Sequence, residues 1–120
     1  MNRLSALFFA LFVSTASAAL VGCEHRAPGR AIDGAAAHAL VAQGATLVDV
    51  RSSGEWASGH LDGAVLIPID ELSGRLAEIP RGHPVVVYCA SGMRSAQAAT
   101  MLGAAGYTVR DLGPMARWNR

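Results

Sequence analysis

Blocks of apolar residues along the chain predict short strands that alternate with short helices. The predicted strands lie at residues 46–50, 64–67, 85–88 and 107–110. The predicted helices lie at residues 34–43, 53–57, 71–79 and 95–105. The run at 85–88, Val-Val-Val-Tyr, lacks polar alternation, which is typical of a strand buried on both faces. This order favours an α/β domain with a small, mostly parallel central sheet flanked by helices.

Several residues at the ends of the predicted helices are of types that commonly cap helices. Asp33 is a suitable N-cap for the first helix, and Gly44 is a suitable residue to end it. Ser52 and Glu55 have the spacing of a capping box, in which each residue bonds the backbone of the other. Ser95 can cap the last predicted helix through its hydroxyl group.

Residues 1–22 have the pattern of a secretory signal peptide. Arg3 supplies an early positive charge, residues 4–22 carry none, and small residues follow the apolar stretch at 4–13. A membrane span is the alternative, since the uncharged stretch approaches the ~20 residues that a span needs. The Ser/Thr/Ala-rich second half of this stretch makes it a poor span.

The segment Leu20-Val21-Gly22-Cys23 resembles the lipobox of bacterial lipoproteins. The resemblance implies lipidation, with a diacylglycerol on the Cys23 sulfur and cleavage just before it. Lipid chains contribute ~0.8 kcal/mol per buried CH₂, so two or more give a stable membrane anchor. Residues 23–31 are then a tether, and residues 32–120 form the domain.

The same resemblance implies export to the periplasmic side of the cell membrane. Glu24 stands where the inner-membrane retention signal of lipoproteins is Asp, which favours the outer membrane where the cell has one. The alternative is ordinary signal cleavage after Ala18, which would leave Cys23 as a free thiol.

The composition excludes several classes of protein. The chain has 120 residues, of which 52% are hydrophobic and 16% charged, and this excludes a disordered chain. Ten basic residues against nine acidic ones leave no basic footprint, so we expect no nucleic-acid partner. Two cysteines do not make a disulfide framework, and the scattered histidines do not make a metal site.

The loop between the strand at 85–88 and the last helix carries the candidate chemistry. A thiol at Cys89 would face free backbone N–H groups and the positive end of the helix dipole, and both favour the thiolate. Gly92 permits a positive φ, which lets successive N–H groups point at an anion. Arg94 adds a fork of donors suited to an oxyanion. The alternative is a buried core cysteine, a common state of free cysteine.

Cys89 is therefore the candidate nucleophile. The candidate substrate-binding residues are the rest of the loop and one arginine at the same edge of the sheet: Ala90, Ser91, Gly92, Met93, Arg94, Ser95 and Arg51.

Arg51 has two interpretations. It either shapes the pocket with Asp49 and helps an anion to enter, or it forms a structural ion pair, with Glu55 as a candidate partner. His60 lies in a Gly-rich turn, and we expect it to hold that turn through its ring nitrogens in preference to donating a proton.

Six segments between Ile32 and Trp118 resemble, in order, motifs of the rhodanese family of sulfurtransferases. They are Asp49-Val50-Arg51, Glu55-Trp56, Gly59-His60-Leu61-Asp62-Gly63-Ala64, Ile67-Pro68, the loop from Cys89 to Arg94, and Leu112-Gly113-Pro114-Met115-Ala116-Arg117-Trp118. The resemblance implies a single-domain, monomeric sulfurtransferase that needs no metal or organic cofactor. Its partners would be a small sulfur-containing anion and a thiol acceptor.

The resemblance also implies a mechanism. The Cys89 thiolate would attack the outer sulfur of a donor such as thiosulfate, sulfite would leave, and a thiol or cyanide would take the sulfur from the resulting persulfide. Related phosphatases have five residues between the cysteine and the arginine, whereas Cys89 and Arg94 are separated by four. This smaller loop favours sulfur transfer over phosphate ester hydrolysis. A persulfide carrier without turnover and a non-catalytic binding module are two competing interpretations.

Two departures from the family pattern concern the sulfur donor. Ala90, Ser91 and Met93 put no cation in the loop before Arg94, whereas members specialised for thiosulfate often carry more positive charge there. Pro114 stands where the family has a second glycine, and it removes a backbone N–H at the rim of the site. The sequence therefore leaves the natural donor open.

Overall fold

A computed structural model of the chain describes residues 29–120. The predicted signal peptide at 1–22 and the predicted lipidation site Cys23 lie outside these residues. No helix within the described part is long and apolar enough to cross a membrane.

The centre of the domain is a parallel sheet of five strands in the order β1-β5-β4-β2-β3. The strands are β1 (Arg30–Ala31), β2 (Thr46–Asp49), β3 (Val65–Leu66), β4 (Val85–Cys89) and β5 (Val109–Pro114). The helices are α1 (Gly34–Ala42), α2 (Ser53–Ala57) and α3 (Met93–Ala104). Three short 3₁₀ turns complete the fold at Leu72–Gly74, Leu76–Glu78 and Met115–Asn119. The predicted α/β class with a small parallel sheet is confirmed.

The capping predictions at the first two helices are confirmed. The Asp33 carboxylate accepts a hydrogen bond from the Ala36 N–H at 2.8 Å. At α2 both halves of the capping box are present: the Glu55 N–H donates to the Ser52 hydroxyl, and the Ser52 N–H donates to the Glu55 carboxylate. These bonds satisfy backbone donors that a helix N-terminus leaves unpaired.

The predicted helix at 71–79 is wrong. The segment instead forms two 3₁₀ turns, and the Gly74 N–H donates to the Glu71 carbonyl three residues back. Gly74 lowers the helical propensity of a short segment that already ends at Pro80. Leu72 and Ile79 are nonetheless buried, so the segment covers the core without a regular helix.

The ends of the sheet also differ from the prediction. The last strand begins at Val109 because Tyr107 turns into the core, where its hydroxyl donates to the carbonyls of Leu76 and Ile79. It then continues to Pro114 beside β4. Residues 30–31, predicted as the end of the tether, form β1 instead, because the outer edge of β5 offers unpaired backbone groups to a neighbouring segment.

Strand β4 is buried on both faces, as its apolar sequence predicts. Val85, Val87 and Cys89 pack on one side of the sheet with residues of α3. Val86 and Tyr88 pack on the other side with residues of α1 and the C-terminal turn. Successive side chains of a strand alternate between faces, so this register places the Cys89 side chain on the α3 face.

The first turn of α1 packs closely against the C-terminal 3₁₀ turn. A Cβ at Gly34 would clash with the carbonyl oxygens of Arg117 and Trp118. We expect Gly34→Ala to lower the free energy of unfolding by about 1–3 kcal/mol, the usual cost of overpacking. Urea unfolding of the full chain measures this change.

Gly103→Ala is the matched control, because Gly103 lies in α3 and a Cβ added there would meet no heavy atom within 4 Å. We expect this variant to be stabilised by about 0.5–1 kcal/mol, since alanine reduces the freedom of the unfolded chain. Equal stability of the two variants would contradict the close contact at Gly34.

Candidate active site

Cys89 is the last residue of β4 and its side chain is buried. The sulfur accepts hydrogen bonds from two backbone N–H groups of the following loop, that of Gly92 at 3.0 Å and that of Ser95 at 3.4 Å. The loop thus curls around the sulfur, and α3 begins with its N-terminus directed at it. Backbone donors and the helix dipole both stabilise negative charge at this position.

Gly92 produces the sharp turn of the loop. Its φ of 103° lies in the left-handed region, which glycine adopts without strain. A Cβ at Gly92 would also come within 3.4 Å of the Pro114 ring. Pro114 is paired with Cys89 across β4 and β5, so the proline that replaces the family's second glycine does lie at the rim of the site.

Ser95 is not the N-cap of α3. The helix begins two residues earlier, at Met93, because Gly92 already takes the non-helical cap position. The Ser95 hydroxyl donates to the Gly92 carbonyl at 3.1 Å, and the Ser95 backbone N–H faces the sulfur. The residue therefore contributes to the loop through its backbone and holds the turn through its side chain.

The other predicted loop residues lie at the surface. Ala90 and Ser91 are exposed, and Met93 is 81% exposed, an unusual state for a large apolar side chain. The exposed side chains of the loop after Cys89 are thus small or apolar.

The Arg94 guanidinium is bound by the Glu55 carboxylate. Its two terminal nitrogens lie 2.7 and 2.9 Å from the two Glu55 oxygens, a bidentate pair that joins α2 to α3. An arginine at a helix N-terminus needs a compensating anion, and here the protein supplies one. The sequence predicted a capping-box role for Glu55 and offered it as a partner of Arg51, but it did not predict the contact with Arg94. The only signal was that Glu55-Trp56 is one of the segments that resemble family motifs.

The ion pair shifts the pKa values of both partners. Hydrogen bonds from Arg94, followed by the backbone bond from Ser52, lower the pKa of Glu55 from 4.5 to about 2. Hydrogen bonding to Glu55 raises the pKa of Arg94, and the charge of Cys89 adds a smaller effect in the same direction. Each partner therefore favours the charged form of the other.

Arg51 pairs with Asp49, and the candidate pairing with Glu55 is wrong. The Arg51 Nε and one terminal nitrogen lie 2.7–3.0 Å from the Asp49 carboxylate, and the same terminal nitrogen donates to the Gly59 carbonyl at 2.7 Å. Both side chains are buried. The chain turns after β2, and this turn places the Arg51 side chain next to the Asp49 carboxylate. This geometry supports a structural role in holding the turn at residues 59–61 more than the predicted contact with substrate.

The turn after α2 is held by two further contacts. One ring nitrogen of His60 bonds the Trp56 carbonyl at 3.0 Å, and the two rings stack with centroids 3.5 Å apart, which supports the loop-holding interpretation of His60. The Leu61 N–H donates to the Tyr88 hydroxyl at 3.1 Å. Burial, helped by the hydrogen bond to Asp49, raises the pKa of Tyr88 to about 12.

Within residues 29–120, no three His, Cys, Asp or Glu side chains form a group able to hold a metal ion. The groups around Cys89 that can take part in chemistry are its thiol, the backbone donors of its loop and the paired Arg94.

A family model and two sulfurtransferases are similar to this chain in sequence. The model of the rhodanese-like domain family matches residues 33–119. The chain is 43% identical over 61 residues to a sulfurtransferase of Allochromatium vinosum, and 38% identical over 63 residues to the thiosulfate sulfurtransferase PspE of Escherichia coli. Each match covers 51% of this chain, and they cover 57% and 61% of those two relatives.

Among solved structures, a rhodanese-related protein from Thermoplasma volcanium superposes with a TM-score of 0.67 at 30% identity. That match covers 75% of this chain and 90% of the other. The chain belongs to the rhodanese-like domain family, and its relatives include single-domain sulfurtransferases.

The lowered pKa of Glu55 predicts an acid-sensitive contribution to stability. Because the folded-state pKa is about 2 and the ordinary value is 4.5, the contribution is complete above about pH 4.5 and is lost as the pH falls toward 2. We expect the difference in unfolding free energy between the wild type and Glu55→Gln to shrink over this range. Urea unfolding at several pH values between 6 and 2 measures it. A difference independent of pH would show that the ion pair does not stabilise the fold.

Proposed function

We propose that this protein is a sulfurtransferase in which Cys89 carries a sulfane sulfur as a persulfide. The observation that supports this most directly is the Cys89 sulfur, which accepts two backbone N–H donors at the N-terminus of α3. The same donors that stabilise a thiolate are placed to stabilise the negative charge of a persulfide.

The first half-reaction begins with the Cys89 thiolate. With thiosulfate as donor, the thiolate attacks the outer sulfur, a sulfur–sulfur bond forms at Cys89, and the bond to the sulfonate group breaks. Sulfite leaves with the bonding electron pair, and Cys89 holds a persulfide. In the second half-reaction an acceptor thiolate, or cyanide, attacks the outer sulfur of the persulfide and restores the Cys89 thiolate. This is covalent catalysis in two displacement steps.

The loop geometry favours sulfur transfer over phosphate ester hydrolysis. Four residues separate Cys89 from Arg94, and Glu55 binds the arginine in a bidentate pair. A phosphate dianion would have to compete with this carboxylate for the same guanidinium. A single sulfur atom bonded to Cys89 needs no such exchange of partners, because the loop's backbone already faces it.

We further propose that the protein is exported and anchored on the periplasmic side through lipidated Cys23. The support is the lipobox-like segment Leu20-Val21-Gly22-Cys23 at the end of an uncharged stretch. In this setting the acceptor would be a thiol outside the cytoplasm, and the domain would act as a monomer. Mass spectrometry of the protein recovered from membranes tests the lipid on Cys23.

The sulfur-transfer proposal predicts a specific mass change. The reduced full chain, given thiosulfate, should gain one sulfur atom on the peptide that contains Cys89. Cyanide should then release thiocyanate over repeated cycles. Intact and peptide mass spectrometry together with a thiocyanate assay measure both steps.

Cys89→Ser should lose loading and thiocyanate release together, because the nucleophile is absent. Cys23→Ser is the matched control and should retain both. Loading without turnover would favour a persulfide carrier over an enzyme. No loading from thiosulfate or from any persulfide would contradict sulfur transfer and leave a binding module as the better interpretation.

A further inference from the structure

The two arginines that the sequence predicted for the substrate site are each already paired with a carboxylate. Arg94 is bound by Glu55, and Arg51 is bound by Asp49. Each pair is neutral overall, so neither arginine offers an uncompensated positive charge to an approaching anion. The exposed side chains of the loop, at residues 90, 91 and 93, are uncharged.

We propose that Glu55 determines the charge class of sulfur donor that this site accepts. By holding Arg94, it disfavours doubly charged donors such as thiosulfate and favours singly charged donors of the form R–S–S⁻ or R–SO₂–S⁻. This inference rests on the proposed function, and it narrows the donor for the same site.

The physical reason is the repulsion between donor and nucleophile. Thiosulfate brings two negative charges toward a thiolate, and a free guanidinium at short range would offset part of that repulsion. Arg94 directly precedes Ser95, whose backbone N–H donates to the Cys89 sulfur, but its donor fork is directed at the two Glu55 oxygens. A singly charged donor meets less repulsion and depends less on a free cation.

The pair is held in place by more than its own attraction. Glu55 Oε1 also accepts hydrogen bonds from the N–H and the hydroxyl of Ser52, at 3.2 and 3.0 Å. These capping bonds fix the carboxylate at the start of α2. Arg94 would therefore have to leave a fixed, preorganised partner in order to bind a donor.

Singly and doubly charged donors react with Cys89 by the same displacement at the outer sulfur. A comparison of their rates therefore reports the effect of the charge on the donor. With methanethiosulfonate ion, the Cys89 thiolate attacks the outer sulfur, the sulfur–sulfur bond of the donor breaks, and methanesulfinate leaves with the electron pair. The two starting anions carry two negative charges in total, as do the persulfide and the sulfinate. The thiosulfate reaction differs by one further negative charge on the donor and on the sulfite that leaves.

The test compares the rates at which Cys89 gains sulfur from thiosulfate and from methanethiosulfonate. In the full chain, Glu55→Gln should raise the ratio of the thiosulfate rate to the methanethiosulfonate rate about tenfold over the wild type, because it frees Arg94 without removing an oxygen that can cap α2. Glu55→Ala frees the same charge if the glutamine variant does not fold. The double variant Glu55→Gln with Arg94→Gln should return the ratio to the wild-type value.

Glu78→Gln is the matched control. Glu78 also forms a bidentate pair with an arginine, Arg75, at 2.6 and 2.9 Å, but this pair lies outside the Cys89 loop. The control loses the same charge and should keep the wild-type ratio. An equal rise in both glutamate variants would overturn the proposal, because it would assign the effect to net charge.

A second readout does not depend on sulfur transfer. Alkylation of Cys89 by iodoacetate, an anion, and by neutral iodoacetamide reports the charge around the thiolate, and peptide mass spectrometry separates it from reaction at Cys23. Glu55→Gln should raise the iodoacetate to iodoacetamide rate ratio about tenfold, by the same removal of charge.

The two readouts separate the failure of each proposal. Unchanged ratios in Glu55→Gln, with Cys89 still loaded by methanethiosulfonate, would overturn the role of Glu55 and leave sulfur transfer intact. Loading by neither donor, with a raised alkylation ratio, would overturn sulfur transfer and leave Glu55 as the residue that controls charge at Cys89.

Discussion

The burial of β4 on both faces determines where the Cys89 side chain lies. Five consecutive residues of β4 are buried, so its register is strongly determined. A shift of the strand by one residue would move each side chain to the other face of the sheet, where the hydrophobic cluster has a different composition. Cys89 ends this strand on the α3 face, and Gly92 turns the chain at once into the helix. The position of the sulfur is determined by the sheet, and the positions of the backbone donors are determined by the N-terminus of α3. The two therefore lie within hydrogen-bond distance of each other.

Two ion pairs organise the same edge of the sheet and differ in their surroundings. Asp49 and Arg51 are buried, so their removal from water must be offset by good geometry, and Arg51 uses its remaining donor to hold the turn at Gly59. Glu55 and Arg94 are each about one-third exposed, at 34% and 33%, so solvent and salt weaken their attraction. The Glu55–Arg94 pair is thus the one that a substitution can alter at moderate cost, and Arg94 lies in the first turn of α3, directly after the loop that follows Cys89.

The elements predicted well are those whose local signals agree with the tertiary contacts. The apolar run of β4, the Asp33 cap and the capping box of Ser52 all act within a few residues, and each lies where the pattern placed it. The failures have a common origin in distant contacts. The segment 71–79 has a helical pattern, yet its buried residues are held by the core in two 3₁₀ turns, and the last strand extends to Pro114 because β4 is available to pair with it.

The sequence by itself determined the class of fold and the position of the loop between β4 and α3, because apolar periodicity, glycine conformation and motif order are local properties of the chain. Only the tertiary structure decided which charges meet. Arg94 pairs with Glu55, which lies 39 residues earlier in the chain, so this pairing depends on how α2 and α3 pack against the sheet. That packing involves the whole domain, and no short segment encodes it.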